Sequence, residues 1–133
     1  MIKNIKKIKI NNIKDTKSEL FYFNNINMIP FKVRNFFYIK SLKGVKRGAH
    51  AHKRYSQFII CLTGSCKFLV NDTKKNKEIK ISKSEYGYLI PSKIWLEILF
   101  LEKNTSLICF TSGVYNESEY IRDFENFIKI KKL

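Results

Sequence analysis

The chain contains two histidines, His50 and His52, which lie two residues apart. Side chains alternate between the two faces of a β-strand, so residues i and i+2 point to the same side. If this segment is a strand, both imidazoles therefore enter one space. An imidazole with its ordinary pKa of about 6.5 can both accept and donate a proton near neutral pH. The pair predicts a shared functional site that carries out proton transfer.

The segments that must position this pair have the pattern of an all-β protein. Short runs of alternating or β-rich composition recur between turn signals, which is typical of a sandwich or barrel. We predict strands at residues 6–10, 20–24, 35–40, 49–52, 57–63, 65–71, 77–81, 86–90, 94–100 and 105–112. Residues 116–130 differ, because acidic side chains are followed by apolar ones at three- and four-residue spacing, which predicts a C-terminal helix. The length of 133 residues fits a single domain, 1–133.

Charge and hydropathy narrow the class of partner. Lysine and arginine number 26 against 11 acidic residues, which gives a formal charge of +15. The lysines are spread along the whole chain, so we expect an ordinary solvated surface and no nucleic acid partner. The alternative is that the positive field attracts a nucleotide or another phosphorylated small molecule. No apolar run approaches the ~18 residues of a membrane span, and the N-terminal residues are unlike a secretory signal. We therefore expect a cytoplasmic protein with no membrane partner.

The cysteines agree with a reducing compartment. There are three, Cys61, Cys66 and Cys109, and an odd count without an export signal is typical of free thiols in a cytoplasm. Cys61 and Cys66 flank a turn at Thr63-Gly64, so we expect them to face each other across a hairpin. Both lie in apolar runs, which favours core packing over redox chemistry.

The spacing around the histidines resembles the first motif of the cupin superfamily, which runs here from Gly44 through His50, His52 and Gln57 to Gly64. The resemblance implies a cupin-type jelly-roll β-barrel. Cupins normally hold a metal with two histidines and a glutamate of this motif and a further histidine of a second one. Gln57 stands at the glutamate position, and no histidine follows Pro91. Two imidazoles and a neutral amide match a divalent cation poorly, so we predict no metal.

Longer segments resemble a narrower family, the sugar 3,4-ketoisomerases, which are cupins that act on dTDP-4-keto-6-deoxyglucose. The segments are residues 30–34, 47–53 and 115–124, within a similarity that covers roughly residues 30–127. The resemblance implies an isomerase that moves the keto group from C4 to C3 through an enediol, in the biosynthesis of dTDP-3-amino-3,6-dideoxy sugars for a surface glycan. It also implies a homodimer. No electrons leave the sugar and the chain has no Gly-x-Gly-x-x-Gly motif, so we predict no cofactor.

The resemblance assigns proton transfer to both histidines, with His52 as the base at carbon and His50 as its partner at oxygen. Four further residues are expected to bind substrate, namely Tyr38, Arg47, Gln57 and Trp95.

Each of these substrate-binding residues has its own expected role. Tyr38 would hydrogen-bond a sugar oxygen, with barrel packing as the alternative. Arg47 would bind the diphosphate as a two-pronged donor, with a surface salt bridge as the alternative. Gln57 would hydrogen-bond the sugar or a histidine. Trp95 would either line the pocket or pack in the core. Arg122, within the predicted helix, is expected to be structural.

Three alternative functions stay open. A 3,5-epimerase acts on the same nucleotide sugar, but that family pairs one histidine with an aspartate and a tyrosine on the opposite face. A metal-dependent cupin dioxygenase or isomerase needs ligands that this sequence lacks. A non-catalytic module would bind the nucleotide sugar without converting it. For the isomerase, both C4 configurations of the product stay open. We also expect the N-terminal ~25 residues to exchange strands with a dimer partner.

Overall fold

The computed structural model describes residues 2, 4–23, 28–83 and 85–132. Twelve strands and one α-helix account for most of these residues. The elements are β1 (Lys6–Lys9), β2 (Asn11–Lys14), β3 (Glu19–Tyr22), β4 (Asn35–Ser41), β5 (Lys46–His52), β6 (Gln57–Thr63), β7 (Ser65–Asn71), β8 (Asn76–Ser82), β9 (Tyr86–Ile90), β10 (Trp95–Phe100), β11 (Thr105–Thr111), a 3₁₀ turn (Glu117–Glu119), β12 (Tyr120–Ile121) and α1 (Phe124–Lys131).

The strands form two five-stranded antiparallel sheets that face each other. The first sheet has the order β1-β9-β6-β11-β4, and the second has the order β12-β5-β10-β7-β8. Strands β2 and β3 form a separate hairpin. The predicted all-β jelly-roll barrel with one C-terminal helix is confirmed.

The main core lies between the two sheets. Strand β11 shows how the sequence builds it, since every second residue from Thr105 to Thr111 is buried. Phe68 of β7 and Phe100 of β10 are almost completely buried in the same core. Full burial of one such side chain stabilises the fold by about 1.5–3 kcal/mol.

A second apolar cluster covers part of the outer face of the first sheet. Phe58, Ile60 and Leu89 form it together with Ile10, and Phe21 of the β2–β3 hairpin packs against it. The predicted strand 20–24 is observed as β3, and Asn24 lies outside the described residues.

The cysteines occupy the core, but the prediction that Cys61 and Cys66 face each other across a hairpin is wrong. Strand β6 pairs with β9 and β11, whereas β7 pairs with β8 and β10, so the chain passes from one sheet to the other at Gly64. Gly64 has φ +77°, and a Cβ there would collide with Thr105. Cys61, Cys66 and Cys109 are all free and buried, and burial raises the pKa of each thiol.

The predicted helix 116–130 is shorter than expected and begins at Phe124. Asp123 caps its N-terminus, because the carboxylate accepts a hydrogen bond from the Asn126 N–H. Before it, Tyr120 and Ile121 form β12, which pairs with the end of β5. The apolar spacing that suggested a longer helix arises because Ile121 packs in one cluster with Phe127. Within the described residues, no helix is long and apolar enough to cross a membrane.

Candidate active site

A cavity of about 480 Å³ lies between the two sheets. Strands β4, β6 and β11 of the first sheet form one wall, and β5 and β10 of the second form the other. Its polar lining includes both predicted and unexpected residues, namely Asn35, Arg47, His50, Gln57, Tyr115, Tyr120 and Arg122. The mostly apolar walls and few convergent polar groups are typical of a small-molecule site.

A β-bulge in β5 positions the histidines. Leu96 of β10 pairs with His50 and Glu97 pairs with Gly48, which leaves Ala49 as the extra residue. Gly48 and Ala49 have φ values of +87° and +57°, a left-handed conformation that is strained for alanine by about 1–3 kcal/mol. A Cβ at Gly48 would lie 2.8 Å from the carbonyl oxygen of Leu96, so only glycine fits. The bulge re-aims the strand immediately before the two imidazoles.

The structure brings the two imidazoles together, with only His50 in the wall of the main cavity. Their ring centroids are 5.2 Å apart and the rings are nearly perpendicular. His50 lines the main cavity. His52 is only 6% exposed and lines a small adjoining space, whose wall also includes Phe37, Tyr115 and Tyr120 of the main cavity.

Burial keeps both imidazoles neutral. Desolvation lowers the pKa of His50, and the backbone at Gly48 partly opposes it. The pKa of His52 falls to about 4, first because of burial and then because of the nearby His50, against the opposing charge of Glu119. A neutral imidazole has a free lone pair, so each ring can act as a base at neutral pH.

An exposed carboxylate organises one side of the cavity. Glu117 accepts hydrogen bonds from Arg122 at 2.6 and 3.1 Å and from the Tyr115 hydroxyl at 2.6 Å. These bonds hold the pKa of Glu117 at about 2, so the carboxylate is ionised. The Arg122 guanidinium lies 4.4 Å above the ring of Tyr120. Arg122 lines the cavity and precedes α1, which corrects its predicted position within the helix.

The predicted substrate-binding residues divide into two groups. Arg47 and Gln57 line the cavity. Tyr38 does not, because it alternates along β4 with the cavity residues Phe37 and Ile39 and is 68% exposed. For the same reason Trp95, next to the cavity residue Leu96, faces away from it.

Trp95 instead belongs to the helix side of the second sheet. Its ring packs against Phe124 and Phe127 of α1, and its indole N–H donates to Glu97 at 3.1 Å. Neither Tyr38 nor Trp95 lines the cavity, and the burial of Trp95 in an apolar cluster fits the alternative expectation of core packing.

Several cavity residues were not predicted from the sequence. Asn35 and Phe37 carry no motif, and only their position on β4 places them in the wall. Tyr115 and Tyr120 lie in the 115–124 segment that carries the family resemblance. That resemblance was the one signal that pointed to them, since the helical spacing of the segment disguised the short strand.

The donor set does not fit a divalent cation. Gln57 contributes a neutral amide beside two histidines, and catalytic zinc or non-haem iron needs a further imidazole or carboxylate. Across residues 2, 4–23, 28–83 and 85–132, no group of three or more His, Cys, Asp or Glu side chains is placed to hold a metal ion.

Comparison with known proteins identifies the family. A family model described as "FdtA: WxcM-like, C-terminal" matches residues 3–132, nearly the whole chain. The chain belongs to this family.

Characterised relatives share most of their length with the chain. It is 31% identical over 125 residues to a TDP-4-oxo-6-deoxy-α-D-glucose-3,4-oxoisomerase of Aneurinibacillus thermoaerophilus, covering 93% of this chain and 90% of that protein. A 3,4-ketoisomerase from Helicobacter canadensis is 32% identical with a TM-score of 0.91, and 97% and 98% of the two chains are covered.

A third relative was solved with a nucleotide sugar bound. It is a variant of the 3,4-ketoisomerase QdtA from Thermoanaerobacterium thermosaccharolyticum, in complex with TDP-4-keto-6-deoxyglucose. It is 29% identical with a TM-score of 0.93, and 99% of this chain and 96% of that chain are covered. The family and these relatives confirm the predicted resemblance to sugar 3,4-ketoisomerases.

Proposed function

We propose that the protein is a 3,4-ketoisomerase that converts dTDP-4-keto-6-deoxyglucose into its 3-keto isomer. The observation that carries the proposal is a pair of imidazoles, 5.2 Å apart, of which His50 lines a cavity that two arginines also line. The family and the activities of three relatives support the same reaction.

The reaction needs two proton movements and no change in total oxidation state. A base removes the hydrogen from C3, whose acidity comes from the neighbouring C4 carbonyl, and a 3,4-enediolate forms. A proton then returns to carbon at C4, while the proton of the O3 hydroxyl is lost and O4 gains one. The C3 hydroxyl becomes a ketone and the C4 ketone becomes a hydroxyl, so atoms and electrons balance within the sugar.

The cavity lining supports His50 as the base at carbon. His50 lines the main cavity, whereas His52 opens on the small adjoining space. This reverses the order that the family resemblance suggested. His52 then moves the proton between O3 and O4, and Tyr120 lies within 5 Å of both rings, with centroid distances of 4.9 and 4.6 Å.

Arg47 and Arg122 bind the diphosphate in this proposal. A guanidinium presents paired N–H donors that match phosphate oxygens, and both arginines line the cavity that contains His50. The diphosphate competes with the Glu117 carboxylate for Arg122. Gln57, which is 6% exposed on the cavity wall, hydrogen-bonds the sugar.

A homodimer belongs to the same proposal. Strand β4 is an edge strand of the first sheet. On the outer face of that sheet, Phe36 is 62% exposed and Tyr38 is 68% exposed. Phe36 packs there against Phe110 of β11. A second copy would cover this aromatic surface, and the N-terminal ~25 residues would exchange between copies. Light scattering tests this, since a monomeric mass for the unaltered protein contradicts it.

We also place the enzyme in the cytoplasm, in a route to 3-amino-3,6-dideoxy sugars for a surface glycan. The three buried free thiols support a reducing compartment. A 3-keto product is the substrate that an aminotransferase needs to place nitrogen at C3.

Incubation with dTDP-4-keto-6-deoxyglucose in heavy water tests the activity. We expect a 3-keto product, trapped as the 3-amino sugar by an added aminotransferase and identified by NMR, with any solvent deuterium at C3 or C4. Deuterium at C3 and C5 would instead indicate a 3,5-epimerase. Binding of TDP with no conversion would indicate a non-catalytic module.

A further inference from the structure

A buried carboxylate lies directly behind His52. Glu119 is 1% exposed, and its Oε2 atom is 3.7 Å from Nδ1 of His52. Both ring nitrogens of His52 lack a hydrogen-bond partner among the described residues, and so does the other oxygen, Oε1, of Glu119. Catalytic hydrogen bonds are often longer than usual before substrate binds.

The loop after β5 fixes this carboxylate in place. Oε2 accepts hydrogen bonds from the backbone N–H groups of Arg54 at 2.7 Å and Tyr55 at 2.6 Å. The carbonyl oxygen of Glu119 accepts from the Lys53 N–H at 3.0 Å. Because this loop begins at the residue after His52, the carboxylate and the imidazole are held by one short stretch of chain.

Within the part of the chain that the structure describes, no buried cation balances Glu119. The Arg54 side chain approaches Oε1 at 3.6 Å but is 78% exposed, so water screens the ion pair. A buried carboxylate without a buried partner is costly to maintain. The carboxylate would gain its buried partner whenever His52 carries a second proton.

We infer that Glu119 is a positioning residue, which keeps the proton of neutral His52 on Nδ1 and stabilises the imidazolium form while His52 transfers a proton at the sugar oxygens. The inference deepens the proposed function and rests on it. With the Nδ1 proton directed at Glu119, the lone pair of Nε2 is free to accept a proton from the substrate.

Other groups also face His52, and they act in different directions. The pKa of His52 is lowered by burial, by His50 and by Arg122, and Glu119 raises it. Tyr55 stacks on the His52 ring at 6.1 Å, and Tyr120 lies at 4.6 Å on the opposite strand. Among these neighbours, Glu119 is the group whose charge favours the protonated ring.

A purely structural role is separable from this one. Glu119→Gln keeps an oxygen that can accept both backbone N–H bonds, but it removes the negative charge. If the role of Glu119 is only structural, this change should leave the pKa of His52 unaltered. If Glu119 positions His52, the pKa should change. Glu125→Gln on the exposed first turn of α1 is the matched control.

The experiment uses the fact that the chain has two histidines. In a His50→Gln protein the remaining imidazole signal belongs to His52, so ¹⁵N NMR reports its tautomer and its pKa without any activity measurement. We expect the Nδ1–H tautomer, and a lower pKa for His52 when Glu119→Gln is added. An Nε2–H tautomer, or an unchanged pKa, overturns the inference. If Glu119→Gln does not fold, the tautomer in the His50→Gln protein decides alone.

Steady-state kinetics test the same inference a second time, in variants that keep both histidines. Glu119→Gln should lower kcat by about tenfold to hundredfold with KM nearly unchanged, and Glu125→Gln should change neither. Equal kcat values for Glu119→Gln and the unaltered protein also overturn the inference. If the unaltered protein shows no ketoisomerase activity, the proposed function is contradicted. The NMR measurement still tests the role of Glu119, because it needs no activity.

Discussion

Tyr120 pairs directly with His52 across strands β12 and β5, and the two ring centroids lie 4.6 Å apart. The pairing brings the C-terminal segment of the chain onto the strand that carries both histidines. Burial raises the pKa of Tyr120, so its hydroxyl stays protonated at neutral pH and can donate a hydrogen bond. The Arg122 guanidinium lies over the same aromatic ring, 4.4 Å from its centroid.

Loss of either imidazole should abolish most of the isomerase activity. His50→Asn and His52→Asn each remove a proton-transfer group, which typically contributes about 10²- to 10⁴-fold to a rate. We expect kcat to fall within that range in both variants, measured by trapping the 3-keto product. Binding of TDP, measured by calorimetry, should change little, and full activity in either variant would contradict the proton-transfer role of that histidine.

The two variants should differ in hydrogen exchange at carbon. His50 is proposed as the base at C3, so His50→Asn should also stop the uptake of solvent deuterium into recovered substrate. His52→Asn should retain more of this exchange, because its proposed role lies at the oxygens. The reverse pattern would restore His52 as the base at carbon.

Stability should fall as the pH drops from about 6.5 toward 4. The pKa of His52 is about 4 in the folded protein, and the ordinary value of about 6.5 applies to the unfolded chain. Between these values the unfolded chain binds a proton that the folded protein does not, so acid favours unfolding. The neutral form of His52 therefore contributes to the free energy of unfolding above pH 6.5. This contribution, about 3 kcal/mol, is lost progressively as the pH falls from 6.5 to 4.

Urea unfolding at pH 7 and pH 4.5 measures this effect. Carboxylates also titrate in the range, so the comparison is between the unaltered protein and His52→Gln, which cannot take up the proton. The free energy of unfolding of His52→Gln should depend less on pH. Identical pH dependence of the two proteins would show that burial does not depress this pKa.

Removal of either cavity arginine should weaken nucleotide binding. Arg47→Ala and Arg122→Ala each lose a charged hydrogen-bond donor, which is worth about tenfold to hundredfold in affinity. Calorimetry with TDP should show this increase in Kd. Arg34→Ala, which changes an exposed arginine that does not line the cavity, is the control and should leave Kd unchanged. An equal increase in Kd in all three variants would show that the arginines act only through the net positive charge of the chain and do not contact the nucleotide.

Local patterns predicted part of this site, and non-local pairing decided the rest. The two-residue spacing of His50 and His52 is a local property of a strand, and the alternating runs predicted nearly every strand of the barrel. Tyr120 faces His52 because two distant segments pair, and no spacing within residues 116–130 contains that information. Trp95 and Tyr38 were misplaced because a strand pattern shows that alternate residues share a face but does not show which face is the cavity.

The bulge before the histidines gives a test that separates backbone conformation from crowding. Gly48 and Gly44 both have positive φ values, +87° and +84°, so an alanine is strained at each. A Cβ at Gly48 would also lie 2.8 Å from the Leu96 carbonyl oxygen, whereas nothing lies within 4 Å of one at Gly44. Gly44→Ala should therefore lower the free energy of unfolding by about 1 kcal/mol and leave kcat unchanged.

Gly48→Ala should destabilise the protein further and also reduce kcat, because β5 must shift away from β10 and carry His50 with it. Chemical unfolding and the product-trapping assay measure the two effects on the same samples. If the two alanine variants lose equal stability and retain equal activity, the tight approach of β5 to β10 does not position His50, and the bulge is only a permissive turn.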